Sequence, residues 1–187
     1  NYFGDEFEAV KGTFQVSGPK VKQVKLTNLN LTKGTFRIVL KGVEAKAGIK
    51  KIDVIVKTLS GTKIRKVYGV KKAKSGNYYT DVDMKQFKYQ YGTYEIAVQI
   101  EDKNGMKEVV ERKNEVIEEP TPVIKAKVNK KVTKLTLTAA NLGIAVNVRG
   151  VRFKVVPLKK KSAAKTYSVA NGKKGVYTAT VSLEDIG

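Results

Sequence analysis

The segment Ser75–Phe87, SGNYYTDVDMKQF, returns as Lys174–Ile186, KGVYTATVSLEDI, 99 residues later and without a gap. Both copies alternate. Tyr78, Thr80, Val82 and Met84 fall on one face, and Tyr79, Asp81, Asp83 and Lys85 on the other. In the second copy Tyr177, Ala179, Val181 and Leu183 oppose Thr178, Thr180, Ser182 and Glu184. A period of two with one apolar face predicts a half-buried strand, because successive side chains of an extended chain point to opposite sides. The same offset holds upstream. Phe36 and Ile38 map to Leu135 and Leu137, Ile49 and Ile52 to Val148 and Val151, and Val54 and Val56 to Phe153 and Val155. Tyr68 maps to Tyr167, Val70 to Val169 and Gly76 to Gly175. Apolar positions are kept while the charges between them drift, which is how two copies of one core behave when their surfaces are free to change.

FRIVL at Phe36–Leu40, IDVIV at Ile52–Val56 and YEIAVQI at Tyr94–Ile100 read as further strands. DKNG at Asp102–Gly105 turns the chain and KEVVER returns, an Asn-Gly hairpin signal. No stretch sustains helical periodicity; AKAGIK and SAAK each support a single turn. The fold expected is all-β, with tandem β-sandwich repeats, the second incomplete. Residues 1–18 read as the tail strand of a preceding repeat or a linker, 19–119 as the first repeat, and 120–187 as a second repeat without its terminal hairpin. EEPTP at Glu118–Pro122 is the joint, since prolines deny ladder hydrogen bonds and stiffen a linker. The core expected for the first repeat is Phe36, Ile38, Ile52, Val54, Val56, Tyr78, Val82, Tyr94, Ile96 and Val98. Asn1 is not a natural start, so the chain reads as a fragment of a longer, processed protein. In that reading Asp5–Ser17 is a strand that a neighbouring copy could accept into its second repeat by strand exchange.

Charge narrows the function. The chain carries 37 basic and 17 acidic residues, a formal +20. From Val123 onward there are 14 basic residues against Glu184 and Asp185 alone. Such an excess favours polyanionic partners. The absence of cysteine and histidine excludes disulfides, thiol catalysis and serine–histidine or cysteine–histidine machinery within this chain. No apolar run approaches a membrane span, so no membrane insertion is expected. Asp81 and Asp83, two apart on one strand face, read as a solvated surface rather than acid–base or calcium chemistry, and EDKNGMKE as a hairpin turn rather than a calcium loop. The aromatics at Tyr78, Tyr94 and Tyr177 fall on the core face, which argues against stacking on nucleic acid. PLKKKSAAK at Pro157–Lys165 is the densest basic run. Lys159, Lys160, Lys161 and Lys165, with Arg149 and Arg152, form the candidate polyanion-binding set. No catalytic residue, metal ligand or cofactor site is assigned.

GTFRIVLKGVEAKAGIKKIDVIV, followed by KVYGVKKAKSGNYYTDVDMKQFKYQYGTYEIAVQIEDKNG, resembles the Bsp-like repeats of Gram-positive surface proteins and cell-wall hydrolases. The shared features are Gly34-Thr35-Phe36, Gly48-Ile49, Tyr68, Gly76 with Tyr78, and Gly92-Thr93-Tyr94 followed by Asp102-Lys103-Asn104-Gly105. Lys57 and Val67 stand where the family often has tryptophan, and Phe87 where it often has histidine. The resemblance implies an immunoglobulin-like sandwich used as a repeated, non-catalytic accessory module outside the cell. Its partners would be anionic cell-wall polymers such as teichoic acid or peptidoglycan. The alternative is a structural surface-layer or adhesin stalk that only makes protein contacts.

Overall fold

The computed structural model describes residues 17–158 and 163–185. Two four-stranded antiparallel sheets form the first repeat. One has the order β1 (Lys20–Asn30), β2 (Thr35–Glu44), β6 (Tyr78–Asp83) and β5 (Lys71–Lys72). The other has the order β4 (Arg65–Gly69), β3 (Ile49–Thr58), β7 (Gly92–Asp102) and β8 (Lys107–Ile117). The alternation read from the sequence puts Phe36, Ile38 and Leu40 of β2, Val54 and Val56 of β3, and Tyr94, Ile96, Val98 and Ile100 of β7 into one buried cluster between the sheets. Phe36 and Phe87 pack edge-on to the Tyr94 ring, with centroids 5.6 and 5.4 Å apart. The Tyr94 hydroxyl donates to the Gln90 carbonyl at 2.6 Å. This ties the start of β7 to the turn before it, as a tyrosine corner does in immunoglobulin-like sandwiches.

Nine of the ten expected core residues are buried. Tyr78 is half-buried instead, because it begins β6 beside the two-residue strand β5. Past Asp83 the strand gives way to a 3₁₀ turn, Met84–Phe87, capped by the Asp83 carboxylate accepting from the Lys85 amide at 2.9 Å. AKAGIK forms no helix; the Gly48 amide closes a tight turn on the Ala45 carbonyl. Among the described residues no helix is long and apolar enough to cross a membrane.

The second repeat places β9 (Val123–Val128), β10 (Lys134–Ala140) and β13 (Tyr177–Ser182) in one sheet, order β13-β10-β9. β11 (Val151–Val155) and β12 (Lys165–Val169) form a two-stranded sheet. Leu137, Ala139, Phe153 and Val181 make its smaller core. The pairings repeat at the sequence offset. Phe36 faces Val82 as Leu135 faces Val181, and Val54 faces Tyr68 as Phe153 faces Tyr167.

One pairing departs. Val24 faces Leu40, whereas Val123 faces Ala140, one residue further on. The cause is a bulge in β1 between Thr27 and Asn30, where Asn28 takes a left-handed φ of 51°. β9 has no such irregularity. A bulge places one unpaired residue in a strand and shifts its register. Val24 is buried, while every residue of β9 is exposed.

The two repeats touch through a loop of the second. Ile144 is 3% exposed and belongs to the core cluster of the first repeat, and the Ala145 amide donates to the Leu31 carbonyl at 3.0 Å. Gly143 sits at φ +95°, and a Cβ there would stand 2.8 Å from the Tyr91 hydroxyl oxygen. Only glycine combines that backbone with that approach.

Candidate functional site

Of the polyanion-binding set, Arg149 and Arg152 come together. Arg152 lies on β11 opposite Ser168 of β12. Arg149, three residues earlier, joins it in lining a groove of about 380 Å³ completed by Gly150, Val151, Ser168, Val169 and Ala170. Gly150 provides the close approach, with its Cα side against the Val169 carbonyl and the Ala170 backbone. No acidic side chain lines this groove. Lys165 is exposed at the opposite end of the two-stranded sheet, where it faces Val155. It is not part of the arginine groove. Lys159, Lys160 and Lys161 lie outside the described residues.

The distribution of ion pairs sharpens the charge argument. Among the described residues all six ion pairs join partners between Lys20 and Glu115. The described cations of the second repeat therefore have no carboxylate of the described residues within ion-pair distance. In the first repeat the acids are used locally. Lys51 reaches Asp53, Lys50 reaches Glu101, and Lys113 reaches Glu115.

The paired aspartates have structural work. Asp81 accepts from Arg37 Nε at 2.7 Å and Nη2 at 3.0 Å, a fork-like pair across β2 and β6. The hydrogen bond from Arg37 holds the Asp81 carboxyl below the usual carboxylate range. Asp83 caps the 3₁₀ turn, as described above. Asp102 is buried and accepts from the Asn104 and Met106 amides, each at 2.9 Å, so the EDKNGMKE segment is a hairpin turn. Among the described residues no group of three or more acidic side chains converges to hold a metal ion.

A second groove escaped the sequence reading. Arg37, Val39, Lys72, Ala73, Lys74, Ser75, Asn77, Tyr78 and Tyr79 surround a volume of about 500 Å³ at the β5–β6 end of the first repeat. The Arg37 guanidinium lies 4.3 Å from the centre of the Tyr79 ring and the Lys72 ammonium 5.8 Å from that of Tyr78. The available signal was Tyr79 itself, an aromatic ring on the outward face of a strand whose inward face already fills the core.

Comparison with known proteins gives the following. The solved structures that resemble the chain include a polysaccharide deacetylase from Bacillus cereus, with 12% sequence identity and a TM-score of 0.42. That match covers 59% of this chain, and the chain spans 31% of the length of the deacetylase. A search of curated proteins gives no match. Residues 25–115 match the model of the GBS Bsp-like repeat family. That stretch runs from β1 to β8 and contains the aromatic cluster, the tyrosine corner and the Asn-Gly hairpin. The resemblance to Bsp-like repeats read from the sequence is thus shown over residues 25–115.

Proposed function

We propose that the chain is a non-catalytic cell-surface module that holds a larger protein against an anionic cell-wall polymer. Bsp-like repeats are typical of surface proteins, which supports the location. The observation that carries the reading is the uncompensated charge of the second repeat. Its described lysines and arginines have no ion-pair partners among the described residues, and Arg149 and Arg152 share a groove without an acid. A cation left without an internal partner is free to attract phosphate or carboxylate groups spaced along a polymer. Lysine serves here as a point charge and arginine as a fork. Residues 19–119 and 120–187 are the two repeats in this proposal, and catalysis, where the parent protein has any, lies in another part of it.

The experiment is charge reversal. Arg149→Glu with Arg152→Glu should weaken adsorption to an anionic polymer, and Lys159→Glu with Lys160→Glu and Lys161→Glu should weaken it further. Raising salt should act in the same direction, because exposed charges are screened beyond about 8 Å at physiological ionic strength. Adsorption indifferent to both changes would overturn the proposal and favour neutral-sugar or protein recognition.

A further inference from the structure

The groove of the first repeat is chemically unlike the charged surface of the second. It combines an aromatic ring on the sheet's outer face, Tyr79, with two lysines, Lys72 and Lys74, that have no ion-pair partner among the described residues. Ser75 and Asn77 add a hydroxyl and an amide on the 73–77 turn, where Asn77 Nδ2 donates to Ser75 Oγ at 3.1 Å and leaves the amide oxygen free to accept. Arg37 stacks on Tyr79 while Asp81 holds its guanidinium, so the ring is braced in place rather than free to swing. The part of the Tyr79 ring that Arg37 leaves uncovered, hydrogen-bonding groups at its margin and a pair of cations match a sugar ring that carries an anionic substituent.

The sequence offset shows that the second repeat lacks these groups. Tyr79, Arg37, Val39 and Asp81 become Thr178, Thr136, Thr138 and Thr180, which pair directly across β10 and β13. Lys72 and Asn77 become Asn171 and Val176. Only Lys74 keeps its charge, as Lys173.

We propose that the Tyr79–Lys72–Lys74 groove is a saccharide subsite for an anion-bearing sugar and that only the first repeat has it. This deepens the proposed function and rests on it: the second repeat would supply charge without regard to the sugar, and the first would read the ring. Nucleic acid also offers rings and phosphates. However, single-strand binding uses a series of stacking platforms, and here Phe36, Phe87, Tyr94 and Tyr177 are all buried.

The test measures binding of the whole chain to four probes by affinity electrophoresis. These are polygalacturonate (a uronate ring polymer), a poly(glycosyl phosphate), polyphosphate (charge without rings) and oligothymidylate. Tyr79→Ala should weaken the two sugar polymers about tenfold, the equivalent of one well-placed aromatic contact, and leave polyphosphate unchanged. Lys72→Glu with Lys74→Glu should weaken both sugar polymers as well. Thermal unfolding of each variant checks that the sandwich is intact. Should the sugar arms differ, the anion the site prefers is read from which is tighter. Wild-type binding that Tyr79→Ala leaves unchanged on every probe would overturn the subsite and spare the polyanion reading. Failure of the wild type on all four would overturn both. Tightest binding to oligothymidylate, lost in Tyr79→Ala, would replace the saccharide with single-stranded nucleic acid.

Discussion

Tyr94 does three jobs with one side chain. Its ring fills the centre of the first core, its edges meet Phe36 and Phe87, and its hydroxyl fastens Gln90. Tyr94→Phe keeps the ring and leaves the Gln90 carbonyl without its donor. The cost should be about 1–2 kcal/mol, read from the denaturant midpoint. The same burial governs pH. Desolvation pushes the hydroxyls of Tyr94 and Tyr68 up to about 12. An unfolded tyrosine ionises near 10. The neutral form is thus the one the fold favours: its stabilisation is fully present below pH 10 and is lost as pH rises from 10 toward 12. Thermal unfolding followed across that window should show a steep alkaline fall, shallower in Tyr94→Phe and in Tyr68→Phe. An identical fall in the variants would mean that other groups cause it. Gly143 tolerates little change either. Gly143→Ala forces a side chain at φ +95° and drives its Cβ toward the Tyr91 hydroxyl. A loss of about 1–3 kcal/mol should follow, the usual cost of such a backbone in a residue with a side chain.

At the level of strands and loops, the period-two rule carried furthest. β2 and β6 bury alternate residues, and β3 and β7 do so apart from Asp53 and Ala97, because a sheet covered on one face must, so their core positions could be read directly. The 99-residue offset then carried the pairings Phe36 with Val82 and Leu135 with Val181. Reading failed where period stops carrying information. The bulge at Asn28 is a backbone event, and nothing in the alternation of β1 marks it. Ile144 alternates with Leu142, Val146 and Val148 as a strand would, yet the segment forms a loop with a 3₁₀ turn at Ala145–Asn147, and Ile144 enters the first core. The Tyr79 groove depends on Arg37 and Asp81, 44 residues apart in sequence, meeting across two strands. EEPTP was read as the stiffening element of the joint, whereas the docked loop at Ile144 adds a second attachment. Ile144→Ala should therefore lower the stability of the first repeat by about 2 kcal/mol or more, as for a large-to-small change in a core. Chemical denaturation measures it. A change confined to the second repeat would show that Ile144 does not seal the first core.

Across the whole molecule, charge is partitioned against structure. The first repeat has the larger core and all the described ion pairs; the second has fewer buried residues and cations without partners among the described residues. The partition suits a module in which one repeat supplies a rigid frame with a shaped groove and the other a broad electrostatic surface. β11 presents one further contrast. Its counterpart β3 is flanked by β4 and β7, whereas β11 pairs only with β12 among the described residues. An open edge of this kind can accept another strand. Cosedimentation with purified Gram-positive cell walls tests the central claim most directly, comparing intact walls with walls stripped of teichoic acid. The account predicts strong binding to intact walls, a large loss on stripped walls, and elution from intact walls by moderate salt. Equal, salt-resistant binding to both preparations would contradict it and point to a stalk that works through protein contacts.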